Sequence, residues 1–267
     1  MTLFKDLFCR IRQSRVWIAA QFVGILLLIL VCLAWTRVPE KHVWQVVLSL
    51  LLPLLGLAGT VVLQAGTMRR LADDHGERVH LACGALTLLF WVALFLVSWA
   101  ILDWCEDQIP QASSYFNARF SAHARATVFT FDHIQRWLGW IVWVLRWIIL
   151  PGKILPYAMA SSQWGWRLHW RRVLRILWSW RWWPAIVLAA FVASWLPSQF
   201  FAGIPHGTVQ AQVWHIAIKL FGAYLLDVCC WVLVLSWLAV LFSRQQPPPK
   251  LSRGAGQAGF PVPPTTP

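Results

Sequence analysis

Apolar residues fall along this chain in long blocks, separated by short polar segments. A helix rises about 1.5 Å per residue, so about 20 consecutive apolar residues are needed to cross the hydrocarbon of a bilayer. Four uncharged blocks reach that length: residues 16–36, 43–68, 81–102 and 182–204. A fifth, residues 213–242, is long enough but contains Lys219 and Asp227. The sixth, residues 137–160, is the least regular, because it holds Arg146, Pro151, Gly152, Lys153 and Pro156. The pattern predicts an all-α membrane protein with six transmembrane helices.

Two further helices are expected that do not cross. In residues 111–136, Phe116, Phe120, Ala124 and Val128 recur every four residues, and Ser113 or Ser114 is placed to cap the start. This predicts an outer amphipathic helix running into span four. In residues 163–183, Arg167, Arg171 and Arg175 recur at the same spacing, with Arg172 beside them. Trp164, Trp166, Trp170, Trp178, Trp180, Trp182 and Trp183 surround these cations. A basic, Trp-rich helix suits the cytoplasmic headgroup zone, so Arg167, Arg171, Arg172 and Arg175 are the expected anionic-lipid contacts. Residues 1–15 form a basic N-terminal segment, and residues 243–267 a Pro/Gly-rich tail expected to be disordered.

Composition adds orientation to this outline. Apolar residues make up 59% of the chain and charged ones 12%, about half the usual share of a soluble domain. The net charge of +13 could suggest a nucleic-acid partner, but the apolar blocks assign those cations to a membrane surface. With six spans and an inside N-terminus, 16 Lys and Arg face inward and five outward. If residues 137–160 did not cross, the most basic segment and the tail would face outward. The positive-inside rule therefore predicts that this block crosses and that both termini are cytoplasmic. A bacterial cytoplasmic (inner) membrane is the expected location. The first span follows a basic segment and has no small-residue cleavage site after it, so it reads as uncleaved. Membrane lipids, including anionic headgroups, and a protein partner or second copy are the expected partners; nucleic acid is not. The 21 Trp suit packing and interfacial anchoring.

Candidate chemistry is sparse. Charges inside spans are costly and are often functional. Asp227 lies 13 residues after Trp214, about 20 Å along its helix, and Arg146 nine residues after Trp137. Both helices run outside to inside, so the two side chains are expected at similar depths, paired in the interior. His215, Lys219, Ala223 and Asp227 recur every four residues and trace a stripe from the outer surface to the midplane. That stripe is a candidate anion or proton pathway, unless Lys219 snorkels outward. Pro53, Pro151 and Pro156 are expected helix kinks.

The six cysteines lack zinc-ligand spacing, and no two histidines have the helical spacing of a metal site. Asp73, Asp74, His75, Glu77 and His80 have ligand chemistry, but no second cluster completes a site. No metal, cofactor or catalytic residue is expected. The leading expectation is a non-enzymatic accessory, assembly or permease-like subunit. The first alternative is a small-solute, ion or lipid transporter using Arg146, Lys219 and Asp227. The second is a membrane-embedded lipid-modifying enzyme.

Overall fold

Long apolar blocks without turn residues have one way to satisfy their backbone in lipid, which is to form long helices. The computed structural model describes residues 2–37, 41–72, 80–121, 123–124, 128–167, 170–201 and 208–245. Its helices are α1 (Thr2–Gln13), α2 (Arg15–Trp35), α3 (Val43–Ala72), α4 (Leu81–Asp107), α5 (Ile109–Arg119) and α6 (Phe131–Val144). A π turn, Leu145–Ile149, joins α6 to α7 (Leu150–Trp164). Then come α8 (Trp170–Leu177), α9 (Trp183–Phe201) and α10 (Val209–Arg244). Every regular element among the described residues is helical. Helices α2, α3, α4, the α6–α7 rod and α10 are long and apolar enough to cross a membrane, and α9 is a shorter apolar sixth. The chain is an all-α, multi-span membrane protein.

An even number of antiparallel passes brings the two described ends of the chain together. Asp6 of α1 pairs with Arg244 at the end of α10, 2.8 Å apart. The rings of Phe4 and Trp237 lie 6.1 Å apart beside them. Arg10 donates to the Leu71 and Ala72 carbonyls at 2.5 and 3.0 Å. Those carbonyls close α3 and have no partner within it, and a cation there also meets the negative end of the helix dipole.

Helix α10 is the centre of the bundle. Its most apolar window is 56% buried, whereas those of α2 and α3 are 6% buried. Apolar helices with so little cover are suited to face lipid. The core gathers at the end that holds the termini, around Ala65 and Leu71 of α3, Leu88 of α4, Met159 of α7, Ile176 of α8 and Leu238 of α10. Helices α4 and α7 meet there in antiparallel register. Trp91 stacks on Tyr157 at 4.9 Å, and further along Trp99 meets Trp147 edge-on at 5.3 Å. At the near end the backbones touch: a Cβ on Gly84 would sit 2.5 Å from the Ser162 carbonyl oxygen. Small residues permit this approach, and van der Waals fit is what holds helices together where lipid is as apolar as they are.

Two expected helices are rearranged. The outer amphipathic helix over residues 111–136 is divided into α5 and α6. The chain reverses between them: Phe120 and Phe129 stack at 4.2 Å, and Asn117 donates to the Phe129 carbonyl at 2.7 Å. Thr130 then caps α6 by accepting from the His133 N–H. Of the four-residue repeat of apolar side chains, Phe116 lies in α5, whereas Phe120 and Val128 lie in the connection. Ser113 and Ser114 are not caps, because α5 begins earlier, with Pro110 in its first turn. Their hydroxyls donate back to the Ile109 and Pro110 carbonyls. The basic helix over residues 163–183 is likewise shorter. Helix α7 runs to Trp164 and stops at Gly165, whose φ of 60° suits glycine. Between Gly165 and α9, only Trp170–Leu177 is helical among the described residues.

Candidate functional site

The three prolines expected as kinks act differently. Pro53 lies within α3 without dividing it. Pro151 has no N–H, and its ring crowds the carbonyl four residues earlier, at Trp147. The helix answers with the π turn Leu145–Ile149, in which the Leu150 N–H donates to the Leu145 carbonyl. Single π turns inside α-helices are frequent at functional sites. Pro156 leaves the Gly152 carbonyl without its helical donor, and Trp182 Nε1 donates to that oxygen at 2.8 Å. Trp182 is fully buried, so this bond fastens α7 to the chain just before α9.

Arg146 lies in the π turn. Its guanidinium reaches Asp103 at 2.9 Å and Glu106 at 2.6 Å, both near the end of α4. It also lies 5.2 Å from the centre of the Trp99 ring. Arg146 is thus paired with the α4 carboxylates, not with Asp227 as the sequence suggested. Helix α6 packs against α5. Position along the α6–α7 rod therefore does not report depth, and Arg146 is level with the end of α4.

Between α2, α4, the π turn, α9 and α10 lies an open cavity of about 1130 Å³. Ligand pockets commonly measure about 300–1,000 Å³. Ile29 and Leu33 of α2, Phe95 and Trp99 of α4, and Trp147 and Pro151 of span four form much of its wall. On α9 the wall consists of Ala189, Ala190 and Ala193 with Ile186, and the small side chains leave room there. Helix α10 presents Leu220, Tyr224, Asp227, Trp231 and Val234, spaced three or four residues apart on one face. The polar side chains on the wall include Gln64, Arg146, Tyr224 and Asp227.

Most of these polar groups are satisfied within the protein. Trp231 Nε1 donates to Gln64 Oε1 at 2.9 Å, and the Tyr224 hydroxyl donates to the Phe22 carbonyl. Asp227 is different. No hydrogen bond or ion pair to its carboxylate exists among the described residues, and it is accessible. The stripe expected on α10 also divides: Ala223 and Asp227 line the cavity, whereas Lys219 and His215 do not. Each four-residue step on a helix drifts by about 40°, so three steps carry His215 well round the helix from Asp227.

At the termini end, Arg171 and Arg175 are exposed on α8, whose Val173 and Ile176 are fully buried. Arg172 lies over the Trp164 ring at 5.5 Å, and Arg167 is exposed in the turn after Gly165. Trp178 and Trp180 stand exposed beside them. Asp73, Asp74, His75 and Glu77, His206 and residues 246–267 lie outside the described residues. Among the described residues no group of three His, Cys, Asp or Glu side chains is placed to hold a metal ion.

Sequence reasoning missed the aromatic walls and the role of Asp103 and Glu106. Part of the signal was present, because Tyr224 and Trp231 stand three before and four after Asp227, where a helix places them on its face. Fold and cavity together define a multi-span helical protein with a binding-sized space among its spans. Comparison with protein-family models, with curated proteins and with solved structures finds no match.

Proposed function

We propose that this chain is a non-enzymatic carrier or transporter that takes an apolar-bodied molecule from the bilayer into the cavity between α2, α4, α9 and α10. The observation that carries this reading is the cavity itself: about 1130 Å³ of space with apolar walls and a single open carboxylate. Such a wall suits binding of a hydrophobic body better than bond-making chemistry. Among the expectations from sequence, this favours a transporter over an assembly subunit, with Asp227 rather than Lys219 at its centre. Arg146 serves as a fixed element of the wall.

The proposed setting is a bacterial cytoplasmic membrane with both termini inside. Its support is the bias of 16 Lys and Arg against five, together with the clustering of Arg171, Arg175, Trp178 and Trp180 near the termini. Helix α8 would lie at the inner headgroups, its arginines on anionic lipid.

Native mass spectrometry of the protein released from lipid nanodiscs tests the reading. The expected result is a retained lipid-sized adduct that disappears in Ala193→Phe, a variant that places a ring in the cavity. A stoichiometric protein partner, with no adduct sensitive to Ala193→Phe, would overturn it in favour of an assembly subunit.

A further inference from the structure

We propose that the preferred occupant of the cavity is a lipophilic cation, with Asp227 as its counter-ion. This rests on the cavity reading above and adds the charge of the occupant. An ionised carboxylate in apolar surroundings is costly unless paired. Asp227 stands on the cavity wall and has no partner among the described residues. A bound cation would supply the missing charge.

The nearby cations of the protein do not supply it. Arg146 lines the same cavity but is held by two carboxylates, Asp103 and Glu106. One guanidinium between two carboxylates leaves that region with an excess of negative charge, which neither neutralises Asp227 nor attracts an anion. Lys219 lies eight residues before Asp227, about 80° round the helix, and does not line the cavity.

The remaining wall favours the same class of molecule. Trp99, Trp147, Tyr224 and Trp231 all border the cavity. Aromatic faces attract cations, and more strongly where water is excluded. A neutral lipid would fill the volume but leave Asp227 unpaired, and an anion would be repelled. The geometry therefore fits an organic cation with a bulky apolar body, whose charge lies against Asp227 and whose body lies against the rings of α4 and α10.

Tetraphenylphosphonium and tetraphenylborate share a shape and differ in sign of charge, so they separate charge from size. Binding of each, and of a neutral acyl-chain probe, would be followed by Trp fluorescence of the full chain in nanodiscs, with empty nanodiscs as the blank. The wild-type protein is expected to bind the phosphonium at least tenfold more tightly than the borate. Asp227→Asn should lose that preference while still binding the neutral probe, and Asp227→Glu should restore it. Equal binding of both ions, or an unchanged preference in Asp227→Asn, would overturn the charge inference and leave the cavity reading intact. Failure of the wild type to bind any of the three probes would overturn both.

Discussion

The two ends of the bundle are built from the same helices and differ in how closely those helices meet. At the termini end, α4 and α7 touch through Gly84 and Ser162, and Met159, Leu235 and Leu238 are fully enclosed. At the opposite end the cavity opens between α2, α9 and α10, although the side chains there are equally apolar. Hydrophobicity does not separate the two regions. In lipid it provides no drive for one helix to prefer another, so shape and hydrogen bonds decide. Contact is close where a small residue faces a backbone, as at Gly84, and where a freed carbonyl finds a donor, as at Gly152. It is loose between α9 and α2, where the cavity separates Ala189, Ala190 and Ala193 from the α2 side chains.

The comparison would break first at Trp182. Trp182→Ala removes a fully enclosed ring and leaves the Gly152 carbonyl without its donor. A loss of about 3–5 kcal/mol is expected, read as a large drop in the unfolding midpoint in detergent. A midpoint within a degree of wild type would show that the tight end does not depend on this lock.

A pair of glycine variants sharpens the contrast. Gly84→Val must force apart two backbones and should cost about 1–3 kcal/mol. Gly222→Ala meets nothing within 4 Å and should be neutral or stabilise by up to about 1 kcal/mol. The same thermal melts compare them, and equal destabilisation by both would erase the proposed difference between the regions.

The smallest effect concerns Arg146. Its partners are more than half exposed, with side chains 68% and 53% accessible for Asp103 and Glu106, so each pair is worth about 1 kcal/mol or less. A double-mutant cycle of Arg146→Gln with Asp103→Asn should show coupling. The cycle with Asp227→Asn should be additive within about 0.5 kcal/mol. Coupling to Asp227 in place of Asp103 would restore the pairing expected from sequence.

Legibility differed between fold and site for physical reasons. The block 137–160 was recognisable as a span despite Arg146 and two prolines, because charge bias along the whole chain required it. The π turn within that span was not, since a proline can be met by a kink, a break or a wider turn. The division of residues 111–136 was hidden because Phe116, Phe120 and Val128 mimic one helical face although only Phe116 lies in a helix, Phe120 and Val128 belonging to the connection. Asp227 stood out as a charge in an apolar block. Its aromatic neighbours across the cavity, Trp99 and Trp147, did not, because they lie on other helices.

What the sequence by itself determined is the number, length and apolar character of the membrane segments. Bilayer thickness and the need to satisfy every backbone group act on each segment separately, so each can be read locally. What only the tertiary structure decided is which side chains share a space: Arg146 with Asp103 and Glu106, Trp182 with Gly152, and Asp227 with an aromatic cavity. Those meetings depend on how far each helix slides and turns against its neighbours, and that is set by fit across surfaces from distant parts of the chain.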